Sequence, residues 1–154
     1  MINFEYISHS PEETMNFAHN LAGKLNVGDV IVLNGDLGSG KTKFTEGILK
    51  YFGLDNEISS PTFTIVNEYN SKDFNIYHFD VYRFADSSEF YAIGGEDYFA
   101  QGICIIEWGE IISDALPNEY IQIDFEKSGE NDEYRLLKIH TVGNKYDGIF
   151  EWNL

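Results

Sequence analysis

The chain has 154 residues, 43% hydrophobic and 23% charged, an ordinary globular composition that excludes disorder and fibrous repeats. Ten Lys and Arg stand against 26 Asp and Glu, for a net charge of -16, a field that repels phosphate backbones, so tight direct nucleic-acid binding is not expected. One cysteine, Cys104, excludes an internal disulfide framework and any multi-thiolate metal site.

The start of the chain lacks a basic segment leading into an apolar one, and no apolar run approaches the roughly 20 residues that cross a bilayer. A cytoplasmic protein with no membrane partner is expected, with residues 1–154 as a single domain. Ile2, Phe4 and Tyr6 alternate with polar neighbours and predict a strand over 2–7. Ser10, Pro11 and Glu13 stand as N-cap, first helical residue and capping-box acid of a helix whose apolar face carries Met15, Ala18, Leu21, Ala22 and Leu25. That helix is expected to end at 26–28. Residues 30–33 form a continuous apolar run, the pattern of a strand covered on both faces. A glycine-rich turn then leads into a second helix, running to about Phe52 and stopped by Gly53.

Residues 62–69 and 74–82, rich in aromatic and β-branched side chains around Asn70-Ser71-Lys72-Asp73, predict a hairpin. Asp86 and Glu89 cap a short helix before Gly94-Gly95, and 103–106 is a second buried-strand run. Residues 120–125 and 134–142 alternate as two further strands. Strand, helix, strand, helix and then paired strands predict an α/β fold: a partly parallel sheet with antiparallel additions and helices on both faces.

Gly35-Asp36-Leu37-Gly38-Ser39-Gly40-Lys41-Thr42 satisfies the pattern GxxxxGK(S/T). Its glycines let the backbone curl around a phosphate chain, and the helix that follows adds the positive end of its dipole. Lys41 is placed to reach the β- and γ-phosphates of a nucleotide, and the Thr42 hydroxyl to ligate magnesium. A chance match in this length has a probability of roughly half a percent at ordinary residue usage. The motif also lies between an apolar strand and a helix, as its chemistry requires. The expected sheet is therefore that of a P-loop nucleoside triphosphatase.

Such a site needs magnesium ligands and a group to aim the attacking water. Asp80 ends the apolar segment Ile76-Tyr77-His78-Phe79, and Glu107 ends Ile103-Cys104-Ile105-Ile106. Carboxyl ends of strands beside the phosphate strand face the nucleotide, so either acid can serve the metal while the other orients water; spacing does not rank them. Thr62, in Ser59-Ser60-Pro61-Thr62, has the place of a switch-loop hydroxyl, or of a proline turn entering a strand. Trp108 either packs near the nucleotide or fills the core at a strand end. His78 reads as a core or edge residue rather than a ligand. Phe90, Tyr91, Tyr98 and Phe99 read as core or as a partner-facing patch.

Only two arginines occur, Arg83 and Arg135, which disfavours a small-molecule kinase whose lid clamps phosphates with several. Asn144-Lys145-Tyr146-Asp147 matches NKxD, the guanine-reading tetrapeptide. Against a GTPase, no DxxG lies between Thr62 and Asn144, and the residues from Asp147 to Leu154 are expected to be too few for the elements that usually follow. A surface turn is the better reading.

Taken together, GDLGSGKTKFTEGIL at 35–49, SPTFTIVNEY at 60–69, YHFDVYRF at 77–84, the acid-aromatic stretch through Tyr98-Phe99 and ICIIEW at 103–108 resemble the TsaE (YjeE) family. The resemblance covers roughly residues 1 to 126, in order and spacing. It implies a small P-loop ATPase of tRNA threonylcarbamoyladenosine synthesis, acting with TsaD and TsaB on adenosine 37 of tRNAs reading codons that begin with adenine. It implies ATP as substrate and magnesium as cofactor. By likeness, Lys41 contacts the phosphates, Thr42 and Glu107 hold the metal, and Asp80 supports hydrolysis or the metal shell. Thr62 then belongs to the switch loop, and Trp108 lies by the active site. Gly109 departs from the family, where Pro often follows Glu-Trp, and so does Lys43, where a second Thr is common. Turnover alone is expected to be slow, because no spare arginine lies in the P-loop helix region. The alternatives are a nucleotide-gated binding module without useful hydrolysis and a small GTPase-like switch.

Overall fold

Apolar runs and alternating segments set the strands, and capped amphipathic segments set the helices. The computed structural model describes residues 1–36, 38–54, 65–129 and 131–153. Among them, β1 (Asn3–Ser8), α1 (Pro11–Ala22), β2 (Val30–Asn34), α2 (Lys41–Tyr51), β3 (Val66–Asn70) and β4 (Asn75–Asp80) follow in order. Next come α3 (Ser87–Ala92), β5 (Gly102–Glu107), β6 (Tyr120–Lys127) and β7 (Arg135–Val142), with short 3-10 helices at Gly95–Ala100, Gly109–Ala115 and Glu151–Asn153.

The strands form one sheet in the order β1-β7-β6-β2-β5-β4-β3. Its centre is parallel: β2 pairs with β5 and β6, and β4 pairs with β5. The edges are antiparallel, with β3 on β4, β7 on β6 and β1 on β7. The predicted α/β sheet, partly parallel with antiparallel additions, is present. Every residue of β2 is buried, because helices cover both faces of the centre. Phe17 and Leu21 of α1 and Phe44 and Ile48 of α2 pack on Ile31, Leu33, Ile105 and Ile123. Phe90 of α3 and Ile112 pack with Val30, Val32, Phe79 and Ile106 on the other face.

The predicted caps are in place. Ser10 Oγ accepts from the Glu13 N–H at 3.1 Å, and the Asp86 carboxylate accepts from the Ser88 N–H at 2.9 Å. α1 stops at Ala22, short of the predicted 26–28. Lys24 and Leu25 donate to the carbonyls of Leu21 and Ala22, three residues back, so the chain leaves the helix through tightened turns while keeping Leu25 buried. The hairpin is β3–β4, closed by Ser71, whose N–H and Oγ both donate to the Phe74 carbonyl. The part of its first strand assigned to 62–64 lies outside the described residues.

No helix among the described residues is long and apolar enough to cross a membrane. For function, the decisive feature is that β2, β4 and β5 run in parallel. Their carboxyl ends share one edge, where Asp80 lies in register with Glu107 and Glu107 with Leu33.

Candidate active site

The P-loop joins β2 to α2 at that edge. Gly40 is the N-cap of α2, in the left-handed region at φ 112°, where a side chain would be strained, and no side chain among the described residues caps the helix. The first turn of α2 therefore offers its N–H groups and the positive end of its dipole to an anion. Lys41, the first helical residue, is buried, while Thr42 beside it is exposed. Gly35, Asp36, Gly38 and Ser39 complete the described part of the loop. Leu37 and Thr62 lie outside the described residues.

Lys41 Nζ donates to the Gly35 carbonyl and lies 3.7 Å from Glu107 Oε1, tying the loop to the end of β5. The other carboxylate oxygen of Glu107 accepts from His78 Nε2 at 2.7 Å. Burial opposes ionisation of Glu107, but the hydrogen bond and attraction of His78 and the charge of Lys41 outweigh it and hold the carboxyl below its usual range. Glu107 is thus a buried, ionised acceptor held at both oxygens. His78, which sequence reading assigned to core or edge, is buried as expected, yet it is also the partner of the site carboxylate. Its Nδ1 has no hydrogen-bond partner among the described residues. The available signal was parity: on β4, His78 shares a face with Asp80, beside the strand that ends in Glu107.

Asp80 Oδ1 accepts from the Tyr82 N–H at 3.0 Å. Trp108 follows Glu107 with φ 66°, the one positive value at a non-glycine residue among the described residues. That conformation costs about 1–2 kcal/mol. It is held by the Trp108 N–H donating to the Leu33 carbonyl at 3.0 Å. The turn lays the indole under Lys41, with Nζ 4.3 Å from a ring centroid, and against Tyr82 at 5.1 Å. Lys41, Glu107 and Trp108 are therefore brought together in contact, and Asp80 stands in register beside them.

Sequence reading missed Arg135. From the first residue of β7 its Nε donates to the Ser39 carbonyl and its Nη2 to the Gly38 carbonyl, each at 3.1 Å. An arginine therefore does reach the P-loop, across more than ninety residues of sequence, although its donors are engaged by carbonyls. The Phe90, Tyr98 and Phe99 rings pack on the second core with Phe79, while Tyr91 is exposed.

Asn144-Lys145-Tyr146-Asp147 lies at the wrong end for a guanine reader. β7 runs against β6, so its end carries this tetrapeptide to the amino edge of the parallel strands. There the N–H groups of Asn144 and Lys145 donate to Glu119, while Lys145 Nζ and Tyr146 OH bind Asp29, just before β2. The five residues of β2 separate it from the P-loop, roughly 17 Å at about 3.3 Å per residue. A groove of about 580 Å³ lined by Asn3, Glu5, Gln122, Asp124, Lys138 and His140 lies on β1, β7 and β6 and includes no P-loop residue.

The donor chemistry at the edge fits magnesium. Among the described residues no three His, Cys, Asp or Glu gather into a metal cage. One hydroxyl and one or two carboxylates, all hard oxygen donors, suit an ion that keeps water and takes other ligands from phosphates.

Known proteins agree with this architecture. The family model for the Threonylcarbamoyl adenosine biosynthesis protein TsaE matches residues 8–136. The chain is 43% identical over 143 residues to the tRNA threonylcarbamoyladenosine biosynthesis protein TsaE of Bacillus subtilis, covering 92% of this chain and 88% of that one. It is 41% identical over 140 residues to the protein of the same name from Rickettsia bellii, covering 90% and 96%. The crystal structure of Bacillus subtilis YdiB matches with a TM-score of 0.78 at 35% identity, over 98% of this chain and 93% of that chain. With the P-loop, the strand-end acids and the sheet order all in hand, the chain belongs to the TsaE family of tRNA threonylcarbamoyladenosine biosynthesis.

Proposed function

We propose that this chain is a magnesium-dependent ATPase subunit, acting in the cytoplasm with TsaD and TsaB to modify adenosine 37 of tRNAs reading codons that begin with adenine. The observation that carries the reading is the contact between the P-loop lysine and the strand-end acid: Lys41 Nζ reaches both the Gly35 carbonyl and Glu107. Lys41 and the first-turn N–H groups of α2 bind the β- and γ-phosphates. Thr42 and Glu107 would hold magnesium, which would supply neutralisation of the charge on the bound phosphates.

Asp80, in register beside Glu107, aims the attacking water. The water oxygen bonds to the γ-phosphorus, the bond to the β–γ bridging oxygen breaks, and ADP leaves with that oxygen's electron pair. The proton of the water passes to the phosphate product or to solvent. Arg135 spends its donors on backbone carbonyls, which supports slow turnover alone and acceleration by a partner. A net charge of -16 fits a subunit that docks on protein and leaves tRNA to others. Purified wild-type protein and Lys41→Ala, assayed for ATP binding and hydrolysis with circular dichroism to check the fold, test the site. Unchanged activity in the folded variant would remove the phosphate-site assignment.

A further inference from the structure

We infer that Arg135 is a positioning residue for nucleotide binding: its guanidinium holds the Gly38 and Ser39 carbonyls, which braces the Gly38–Ser39 turn of the P-loop and aims the Gly40 N–H at the phosphates. The inference rests on the nucleotide-binding reading above.

A P-loop binds phosphate through N–H groups, so its carbonyls must face the other way. A trans peptide unit is planar, with its C=O and N–H on opposite sides. Holding the Ser39 carbonyl therefore sets the direction of the Gly40 N–H. Arg135 Nε holds that carbonyl at 3.1 Å, and Nη2 holds the Gly38 carbonyl at the same distance. The Gly38–Ser39 peptide is fixed at both ends, because the Ser39 N–H donates to the Asp36 carbonyl at 3.0 Å. Gly38 and Gly40 both have positive φ, so without an anchor this stretch has much backbone freedom to lose on binding.

The anchor itself is rigid. Arg135 starts β7, in register with Ser8 on one side and Lys127 on the other. Its Nη1 donates to the carbonyls of Asp132 and Tyr134, so its reach toward the loop is preset. No carboxylate pairs with it among the described residues, so in an acidic chain its charge remains available to attract the anion bound by the loop. The planar fork matters, because a lysine ammonium is a point donor on a flexible stem and cannot span two successive carbonyls in the same way.

The test measures ADP and magnesium-ATP affinity by titration calorimetry, with steady-state hydrolysis, for wild type, R135K and R135Q. In R135Q the Kd for both nucleotides is expected to rise roughly tenfold, the scale of lost hydrogen bonds to a charged group. R135K is expected to fall between, at roughly threefold, and it carries the test if R135Q does not fold. The loss appears in KM, with kcat at saturating ATP within about twofold. Unchanged affinity in a folded variant, even with a lower melting temperature, overturns the inference by reducing Arg135 to a structural role. A fall in kcat at unchanged Kd overturns it in favour of direct transition-state contact. If wild type binds nucleotide and the variants bind equally well, only this inference fails; if wild type binds none, the nucleotide-binding reading falls with it.

Discussion

His78 Nε2 donates to Glu107 Oε2 at 2.7 Å, from the strand next to the one Glu107 ends, and leaves Oε1 facing Lys41. The carboxylate that the family likeness assigns to the metal is thus oriented by one neighbouring strand and charge-balanced by the P-loop. Glu107→Gln keeps the shape and removes the charge. We expect ATP hydrolysis to fall at least about a hundredfold, with ATP affinity changed less than about fivefold, the pattern of a group acting mainly in the transition state. Binding and turnover falling together would make Glu107 chiefly a seat for the metal.

The position of Asn144-Lys145-Tyr146-Asp147 at the amino edge of the sheet gives a second prediction. Asp147→Asn should leave the relative affinities for ATP and GTP unchanged in a competition assay, because the residue lies the length of β2 from the P-loop. A changed base preference would restore the guanine reading.

Cys104 is buried in the middle of β5, and burial pushes its thiol from 9.0 up to about 12. The thiol should resist iodoacetamide at pH 8 in the native protein and react readily in urea. The sign of the linkage is also fixed. Between pH 9 and 12 the unfolded chain releases this proton and the folded chain keeps it, so this contribution to stability is complete below pH 9 and lost on going above it. Tyr146, raised by burial and by Asp29, acts in the same direction. Denaturant midpoints measured from pH 8 to 10.5 should therefore fall, and a flat profile would contradict the burial argument.

Gly109 is packed against the second core. A Cβ built there meets Val32 Cγ1 at 2.7 Å, so the glycine is matched to the bulk of Val32 in the second core. Gly109→Ala should destabilise the protein by about 1–3 kcal/mol through overpacking. In a double-mutant cycle with Val32→Ala, the two changes should couple rather than add. Strict additivity in urea melts would show that the contact carries no strain.

Local signals located most of the elements and several residues that gather at the candidate site. The P-loop, the β2 run before it and the acids ending β4 and β5 are written in contiguous residues, and the parallel sheet places them at one edge. Features that depend on pairing between distant segments were not legible. Arg135 reaches Ser39 only because β7 packs antiparallel on β6, and His78 meets Glu107 only through the β4–β5 register. The NKxD match is set aside by information of the same kind: strand direction, absent from the motif, decides which edge it occupies, in line with the surface turn expected there. The early end of α1 reflects a choice between turn and helix hydrogen bonds that side-chain periodicity does not encode.

The most direct measurement is ATP hydrolysis by the purified chain with magnesium, alone and with the TsaD–TsaB pair. The account predicts slow turnover alone, strong stimulation by the pair, and loss of both in Lys41→Ala. Bound ATP with no hydrolysis under either condition would contradict the ATPase reading and favour a nucleotide-gated binding module.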